Sequence, residues 1–241
     1  MANVTNTVDI KALLEAGAHF GHKTSRWHPK MAPFIHSKRG DIHIINLEKT
    51  VEQLAITLQF IEETVAKGQQ ILFVGTKRQA KEIVRQTAEA VSQPYVTERW
   101  LGGTLTNSNT INARVKKLKD LETKMANGEL NAKYNKLEVQ HFQEQIDAMN
   151  IRFGGIKELN GRPGALFVTD LIKDETAVRE ANRLNIPVVA MVDTNVNPDL
   201  VKYPIVCNDD AIKTIALICD YVKSAVIKGQ SLRSKKVDKV E

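Results

Sequence analysis

The sequence is poor in cysteine and in aromatic residues, and it contains no long apolar run. Its 241 residues include 2 cysteines, 2 tryptophans, 4 tyrosines and 7 phenylalanines. Cys207 and Cys219 alone cannot supply a disulfide framework or a four-ligand zinc site, and they suit a reducing compartment. No segment approaches the roughly 18 apolar residues of a membrane helix, and residues 1–9 lack the basic start and apolar centre of a signal peptide. These absences predict a soluble, cytoplasmic protein with no membrane partner.

Charge is distributed unevenly along the chain. The formal net charge is only +6, from 34 Lys and Arg against 28 Asp and Glu. Residues 1–119 contain 17 basic and 10 acidic side chains, residues 160–222 contain 6 and 9, and residues 223–241 contain 6 and 2. A single charged cluster is more often ordinary solvated surface. The asymmetry as a whole predicts a polyanion bound by one face and a different partner bound by the other.

Short apolar strands alternate with amphipathic helices over most of the chain. Strands are predicted at residues 41–47, 71–74, 95–97, 165–169, 187–192 and 203–206, and helices at 10–16, 50–67, 78–91, 175–184 and 209–227. Residues 19–39 show no periodicity and are predicted to form a loop. Alternating strands and helices indicate an α/β fold with a doubly wound parallel sheet covered by helices on both faces.

Between residues 111 and 153 the strand signal disappears and heptad-like spacing replaces it. Two apolar runs flank Asn127-Gly128: Ile111, Val115, Leu118, Leu121 and Met125, then Val139, Phe142, Ile146, Met149 and Phe153. This spacing predicts an antiparallel helical, coiled-coil hairpin that either projects as an arm or packs on the core. The predicted organisation is therefore a single α/β core formed by residues 1–110 and 154–228, a hairpin insertion at 111–153 and a flexible basic tail at 229–241.

The turn after the strand at 71–74 offers a candidate phosphate site. Backbone N–H groups at a helix start, with Thr76, Lys77 and Arg78 beside them, can hold a phosphate, although plain helix-start surface is the alternative. The turn has neither the three spaced glycines of a dinucleotide site nor the Gly-Lys-Ser/Thr ending of a phosphate loop. No nucleophile elbow or zinc-protease motif occurs elsewhere. We therefore predict no catalytic residue and no cofactor, and a nucleotide-binding enzyme on the same fold is the alternative.

Metal binding is not predicted. Five histidines lie between residues 19 and 43, in a segment with no cysteine and with Asp41 as its only acid, so the usual partners of a zinc site are missing. Asp193, Asp209 and Asp210 follow later strands, where α/β sheets place ligands. Asp209 could simply cap the last helix. These three aspartates are candidate contacts for a protein partner, with a cation on Asp193 and Asp209 as the alternative.

Nucleic-acid binding has the strongest support from the residues. Basic and aromatic side chains are interleaved between residues 23 and 39, where long cations reach phosphates and rings can stack on unpaired bases. A buried Trp27 that tethers the loop is an equal alternative. A second glycine-bearing loop at 99–107 leads into a basic helix, and its glycines permit close backbone approach. The candidate RNA-binding residues of the two segments are Lys23, Arg26, Trp27, His28, Lys30, Lys38, Arg39, Arg99, Thr104, Asn107, Arg114, Lys116 and Lys117.

Together these segments resemble the bacterial small-subunit ribosomal protein S2 family over roughly residues 8–229. The matching motifs are Ala-Gly-Ala-His-Phe-Gly-His at 16–22, Arg-Trp-His-Pro-Lys-Met at 26–31, Phe-Val-Gly-Thr-Lys-Arg-Gln-Ala at 73–80, Arg-Trp-Leu-Gly-Gly-Thr-Leu-Thr-Asn at 99–107, Phe-Gly-Gly-Ile at 153–156, Val-Asp-Thr-Asn at 192–195 and Asn-Asp-Asp-Ala-Ile at 208–212. Three local departures occur: Val206-Cys207 replaces the usual Pro-Gly, residues 162–164 replace Leu-Pro-Asp, and Trp27-His28 replaces Trp-Asn.

The resemblance implies a noncatalytic protein with a flavodoxin-like, three-layer α/β/α core and a helical-hairpin insertion. It implies a position on the solvent side of the small ribosomal subunit, between head and body, with small-subunit rRNA and neighbouring ribosomal proteins as partners. It also implies a role in seating the OB-repeat ribosomal protein that captures mRNA. A chain of this family is expected to be part of the cytoplasmic ribosome and not a homo-oligomer.

Overall fold

The N-terminal part folds as a short helix followed by a small antiparallel sheet. The computed structural model describes residues 8–237. It begins with α1 (Ile10–Glu15), β1 (Phe20–Lys23), β2 (Ile35–Arg39) and β3 (Ile42–Ile45). The strands lie in the order β1-β3-β2 and pair antiparallel. Two short 3₁₀ turns, Thr24–Arg26 and Pro29–Phe34, connect β1 to β2.

This small sheet differs from the sequence prediction, which assigned residues 19–39 to a loop and 41–47 to the alternating strand–helix pattern. Four of the five residues of β2 are exposed, so the strand lacks the apolar–polar alternation that a strand prediction needs. Tertiary hydrogen bonds hold the sheet instead. The His28 and His22 amides donate to the backbone carbonyl and the Oγ1 of Thr194, both at 2.8 Å.

Five parallel strands form the central sheet. They are β4 (Ile71–Val74), β5 (Tyr95–Val96), β6 (Ala165–Val168), β7 (Val188–Val192) and β8 (Tyr203–Val206). Their spatial order is β5-β4-β6-β7-β8, which is the flavodoxin-like order 2-1-3-4-5 when this sheet is counted alone. Every residue of β4, β6 and β7 is buried, because helices cover both faces.

Helices form the two outer layers. They are α2 (Leu47–Ala66), α3 (Lys81–Ala90), α4 (Ser108–Ala126), α5 (Glu129–Lys133), α6 (Lys136–Phe153), α7 (Glu175–Arg183) and α8 (Ile212–Val237). Phe73 and Phe167 face the core under α2, α3 and α8, while Val74 and Val168 face the core under α7 and the hairpin helices. The doubly wound, three-layer α/β/α prediction is confirmed. None of the helices within residues 8–237 combines the length and apolar content needed to cross a bilayer.

Helices α4 and α6 lie where heptad spacing predicts the hairpin, and the short α5 between them was not predicted. Val115 and Leu118 of α4 and Ile146 of α6 are buried in the same apolar cluster as the sheet. Around the hairpin turn, by contrast, Tyr134 and Leu137 are exposed. The base of the hairpin therefore packs on the core, and its far end does not.

The last helix extends beyond its predicted end. Residues 229–237, assigned to a flexible tail, continue α8, and the tail prediction for residues 238–241 lies outside the described residues. Gly229 passes so close to α2 that a Cβ would lie 2.7 Å from the Glu62 carbonyl oxygen, and the Gln230 side chain donates to the Val91 carbonyl at 2.8 Å. A glycine that usually signals a helix end here permits close helix packing.

Candidate functional site

The carboxyl ends of four central strands meet at one edge of the sheet and bring charged side chains together. Lys77 follows β4, Asp170 follows β6, and Asp209 and Asp210 follow β8. The Lys77 Nζ lies 3.0 Å from Asp170 Oδ2, 2.9 Å from Asp209 Oδ1 and 2.8 Å from Asp210 Oδ1. The lysine side chain is only 17% exposed. Lys77, predicted to contact an rRNA phosphate, is therefore already enclosed by three carboxylates of its own chain.

The turn before Lys77 is also internally satisfied. The Thr76 amide and hydroxyl donate to the two oxygens of Asp174, at 3.2 and 2.7 Å. Burial raises the pKa of Asp174 despite these hydrogen bonds. Thr76 is buried and both its amide and its hydroxyl are bound to this carboxylate, so the residue is not presented to a partner. Arg78, in contrast, is exposed and makes no ion pair with any residue between 8 and 237.

His22 and Asp193 extend this cluster, which we call the Lys77 network (His22, Lys77, Asp170, Asp193, Asp209 and Asp210). His22 Nδ1 lies 3.0 Å from Asp193 Oδ2, and His22 Nε2 lies 3.5 Å from Asp210 Oδ2. The hydrogen bond to Asp193 raises the pKa of His22. Four aspartates thus share one lysine and one histidine.

The pKa of Asp209 reflects this excess of acid. Burial, together with the charges of Asp170 and Asp193, raises the pKa of Asp209 to about 7, although the hydrogen bond from Lys77 opposes the rise. One ligand atom from each of His22, Asp193 and Asp209 lies within 4.8 Å of the other two. Imidazole nitrogen and carboxylate oxygen are ligands for divalent metals, so, among the described residues, these three form the group that could hold a metal ion.

The three aspartates predicted to contact a protein partner are not equally accessible. Asp193 and Asp209 are 1% and 2% exposed, because the loops after β7 and β8 turn inward. Only Asp210, with a side chain that is 53% exposed, presents a carboxylate at the surface. Nor does Asp209 cap α8 as expected. The helix begins at Ile212, and Asn208 Oδ1 accepts from the amides of Asp210 and Ala211.

The glycine-bearing loop at 99–107 is organised by a residue that the sequence analysis missed. Both carboxylate oxygens of Glu180, on α7, accept hydrogen bonds of 2.7–3.1 Å from this loop. The donors are Trp100 Nε1, the amides of Gly103, Leu105 and Thr106, and Thr106 Oγ1. Burial alone would raise the pKa of Glu180, but these donors outweigh it and the pKa is lowered. One feature of the sequence could have indicated this role. Glu180 is an acidic residue on the apolar, inward-facing stripe of a helix, together with Ala177 and Ala181.

Within this loop the predicted contacts separate into exposed and buried side chains. Arg99 and Asn107 are exposed, whereas Thr104 is buried and its hydroxyl donates to the Leu101 carbonyl at 2.6 Å. Thr104 therefore stabilises the loop instead of presenting a hydroxyl to RNA. Along α4, the remaining predicted residues all lie on exposed positions: Arg114, Lys116 and Lys117.

The N-terminal antiparallel sheet presents the other predicted contacts, and we call residues 20–45 the basic sheet. Its exposed cations are Lys23, Arg26, Lys30, Lys38 and Arg39. Lys30 pairs with Asp199. The other four make no ion pair with a carboxylate in the described part of the chain.

Trp27 and His28 have different roles in the basic sheet. The Trp27 ring is 39% exposed and lies 5.2 Å from the His43 ring, measured between centroids. It is therefore neither a buried tether nor a fully free stacking surface. His28 is partly buried, and its Nδ1 accepts from the Lys30 amide at 3.2 Å. Because His22 and His28 both bind Thr194 next to Asp193, the Lys77 network also fixes the position of the basic sheet.

Comparison with known proteins identifies the family. A family model described as Ribosomal protein S2 matches residues 13–229. A relative named small ribosomal subunit protein uS2, from Roseiflexus sp. (strain RS-1), is 53% identical over 226 residues, which are 94% of this chain and 86% of the relative. Proteins of the same name from Chloroflexus aggregans and Dehalococcoides mccartyi are 50% and 47% identical, covering 94% and 98% of this chain and 94% and 95% of their own lengths. The chain therefore belongs to the ribosomal protein S2 family, whose members are structural proteins of the ribosome and not enzymes.

Proposed function

We propose that this protein is a structural constituent of the small ribosomal subunit that binds small-subunit rRNA through the basic sheet. The observation that carries the proposal is the set of four exposed cations without a carboxylate partner: Lys23, Arg26, Lys38 and Arg39. Unpaired surface cations retain their full attraction for phosphate, and binding releases the counterions of the RNA. Bound in this way, the protein supports assembly of the subunit and translation in the cytoplasm.

The surface extends beyond the basic sheet. Arg78, Arg99 and the cations of α4 are exposed, and Asn107 adds an amide that can bond to phosphate or ribose. Lys77, Thr76 and Thr104 contribute indirectly. Their internal contacts stabilise the turn that presents Arg78 and the loop that presents Arg99 and Asn107. This assigns phosphate contact to exposed side chains and loop geometry to buried ones.

Protein partners belong to the same proposal. The relatives carry the name of a small-subunit protein, so neighbouring small-subunit proteins are the expected contacts, including the OB-repeat protein that captures mRNA. Asp210 supports such a contact, since it is the accessible carboxylate of the Lys77 network. The chain acts as a single copy within the subunit and not as a homo-oligomer.

The test measures binding to small subunits that lack this protein, over a range of salt concentrations. Each phosphate contact contributes about 0.7–0.9 to the slope of log association constant against log salt. We expect Lys38→Gln with Arg39→Gln to reduce the slope by roughly 1.5.

The matched control is Arg85→Gln with Lys223→Gln, which removes the same charge from α3 and α8 on the other face of the sheet. The slope of this control should equal that of the unchanged protein. An unchanged slope for the Lys38 and Arg39 variant would disprove the role of the basic sheet.

A further inference from the structure

A second concave surface lies at the opposite edge of the central sheet, at the amino ends of β4, β5 and β6. It is a cavity of about 400 Å³ between the end of α2, the turn after α3, the loop before β6 and the last turns of α8. This volume is within the range of about 300–1,000 Å³ that is usual for ligand pockets. The lining residues used below are Gln69, Gln93, Arg162, Gln230 and Arg233.

The charge of this cavity has one sign. Among the residues that the structure describes, two arginines, Arg162 and Arg233, line it, and no aspartate or glutamate does. Neither guanidinium has a hydrogen-bond or ion-pair partner within residues 8–237. The Arg233 guanidinium nevertheless packs against Gly68. Its Cζ lies 3.4 Å from the position that a Cβ on Gly68 would occupy. Two uncompensated guanidinium groups that line one cavity favour an anion, and their planar donors fit phosphate oxygens.

The rest of the lining supplies amide groups held in place by the backbone. Gln93 Oε1 accepts from the Ile71 amide at 2.8 Å, and Gln230 Nε2 donates to the Val91 carbonyl at 2.8 Å. Gln93 Nε2 also donates to the Val91 carbonyl, at 3.5 Å, so Gln93 is held at both ends. Gln230 is anchored through Nε2, which limits the orientations of its Oε1. The side-chain amide of Gln69 has no hydrogen-bond partner in the described part of the chain. Amides that both donate and accept can pair with the edge of an unstacked base.

We propose that this cavity binds one unpaired nucleotide of RNA, with the phosphate on Arg162 and Arg233 and the base edge on the side-chain amides of Gln69 and Gln230. The inference rests on the proposed rRNA-binding function and adds a second contact, on the side of the molecule away from the Lys77 network. The extended end of α8 makes the site possible, since Gln230 and Arg233 belong to the segment that the sequence predicted as a flexible tail.

The experiment uses the full chain and small subunits that lack it, as in the test of the basic sheet. Arg162→Gln with Arg233→Gln should reduce the salt slope by roughly 1.5 and weaken association about tenfold at moderate salt. Arg162→Lys with Arg233→Lys keeps the charge and should retain most of the slope. Gln69→Ala should weaken association several-fold without changing the slope, because it removes a base contact and no charge. Circular dichroism and thermal melting verify that each variant is folded.

The outcomes separate this inference from the proposed function. An unchanged slope for the Arg162 and Arg233 variant, beside a reduced slope for the Lys38 and Arg39 variant, would overturn the cavity and leave the basic sheet in place. Unchanged slopes for both would overturn both. A nucleoside monophosphate probe that binds the free protein tightly, and loses binding in the Arg162 and Arg233 variant, would show that the ligand is a free nucleotide and overturn the assignment to RNA.

Discussion

The Lys77 network and the basic sheet contain the same kinds of side chains in opposite situations. Lys77 is surrounded by three carboxylates within 3.0 Å. Lys38 and Arg39 are exposed and have no carboxylate partner among the described residues. Because parallel strands deliver their carboxyl ends to one edge, residues far apart in sequence neutralise Lys77 there. Lys38 and Arg39 lie at the end of β2, beside the two-residue turn at the tip of an antiparallel pair, and no distant segment of the described chain brings a carboxylate to them.

The difference shows which basic residues are available to a polyanion. Both segments place cations beside a glycine, and local sequence alone does not separate them. Burial and the number of nearby carboxylates do, since a desolvated cation with partners is a structural group and a hydrated one without partners is a binding group. We therefore expect that removing a cation from the Lys77 network changes stability, whereas removing cations from the basic sheet changes only binding.

The largest expected effect comes from removing the cation of the Lys77 network. Lys77→Met leaves Asp170 and Asp209 close together in a buried site without their lysine. Removing one partner of a buried charge cluster costs about 3–5 kcal/mol, so the free energy of unfolding in urea should fall by that amount. The neighbouring exposed substitution Arg78→Met should change it by less than about 0.5 kcal/mol.

A second substitution verifies the cause. In the Lys77→Met background, Asp209→Asn removes one of the uncompensated charges and should restore about 1–2 kcal/mol. If Lys77→Met proves as mild as Arg78→Met, the network does not stabilise the fold and the contrast with the basic sheet disappears.

The next effect concerns Glu180, which holds the exposed 99–107 loop from beneath. In Glu180→Gln one carboxylate oxygen becomes an amide that cannot accept from the loop N–H groups. Buried donors left unpaired cost about 1–3 kcal/mol, so we expect a loss of about 2–3 kcal/mol and a change in Trp100 fluorescence. Glu175→Gln, on the exposed side of α7, is the control. Equal effects of the two substitutions would show that the loop does not depend on Glu180.

These residues also show how far the sequence alone could reach. Continuous apolar runs such as Phe73-Val74 and Phe167-Val168 predict buried parallel strands, because each strand satisfies a strong local pattern. The carboxylates around Lys77 belong to residues at least 93 positions further along the chain. No local sequence pattern indicates a contact over such a separation. The partners of Glu180 are 74–80 positions away and are equally invisible to local patterns. Gly229 ends a helix by local rules, but α2 packs against it and α8 continues.

A smaller effect is expected on the pH dependence of stability. The pKa of Asp209 is raised to about 7 in the folded chain, so the folded chain binds the proton more tightly than the unfolded one. The stabilisation from Asp209 is therefore complete below the ordinary Asp pKa and is lost as the pH rises through 7. In the unchanged protein, Asp209 should make the free energy of unfolding fall by about 1 kcal/mol per pH unit between roughly pH 5 and 7. Asp209→Asn should abolish this fall.

The exposed substitution Asp220→Asn serves as the reference for this titration. Groups outside the Lys77 network, such as His43, contribute equally to both chains and cancel in the comparison. The raised pKa of His22 depends on its hydrogen bond to Asp193 and in part on the charge of Asp209, so a change in the titration of His22 is part of the effect of Asp209→Asn. Denaturant unfolding at half-unit pH steps gives the two curves. Parallel curves for Asp209→Asn and Asp220→Asn would mean that Asp209 does not titrate in this range.

The smallest effect on stability should come from the basic sheet itself. Lys38→Gln with Arg39→Gln removes two hydrated cations that form no ion pair in the described structure, so the free energy of unfolding should change by less than about 0.5 kcal/mol. The same variant is expected to show a salt slope of association with the small subunit that is lower by roughly 1.5. Urea unfolding and subunit binding of one preparation measure both quantities. A large loss of stability would show that these cations support the fold, and they would then resemble Lys77 instead of differing from it.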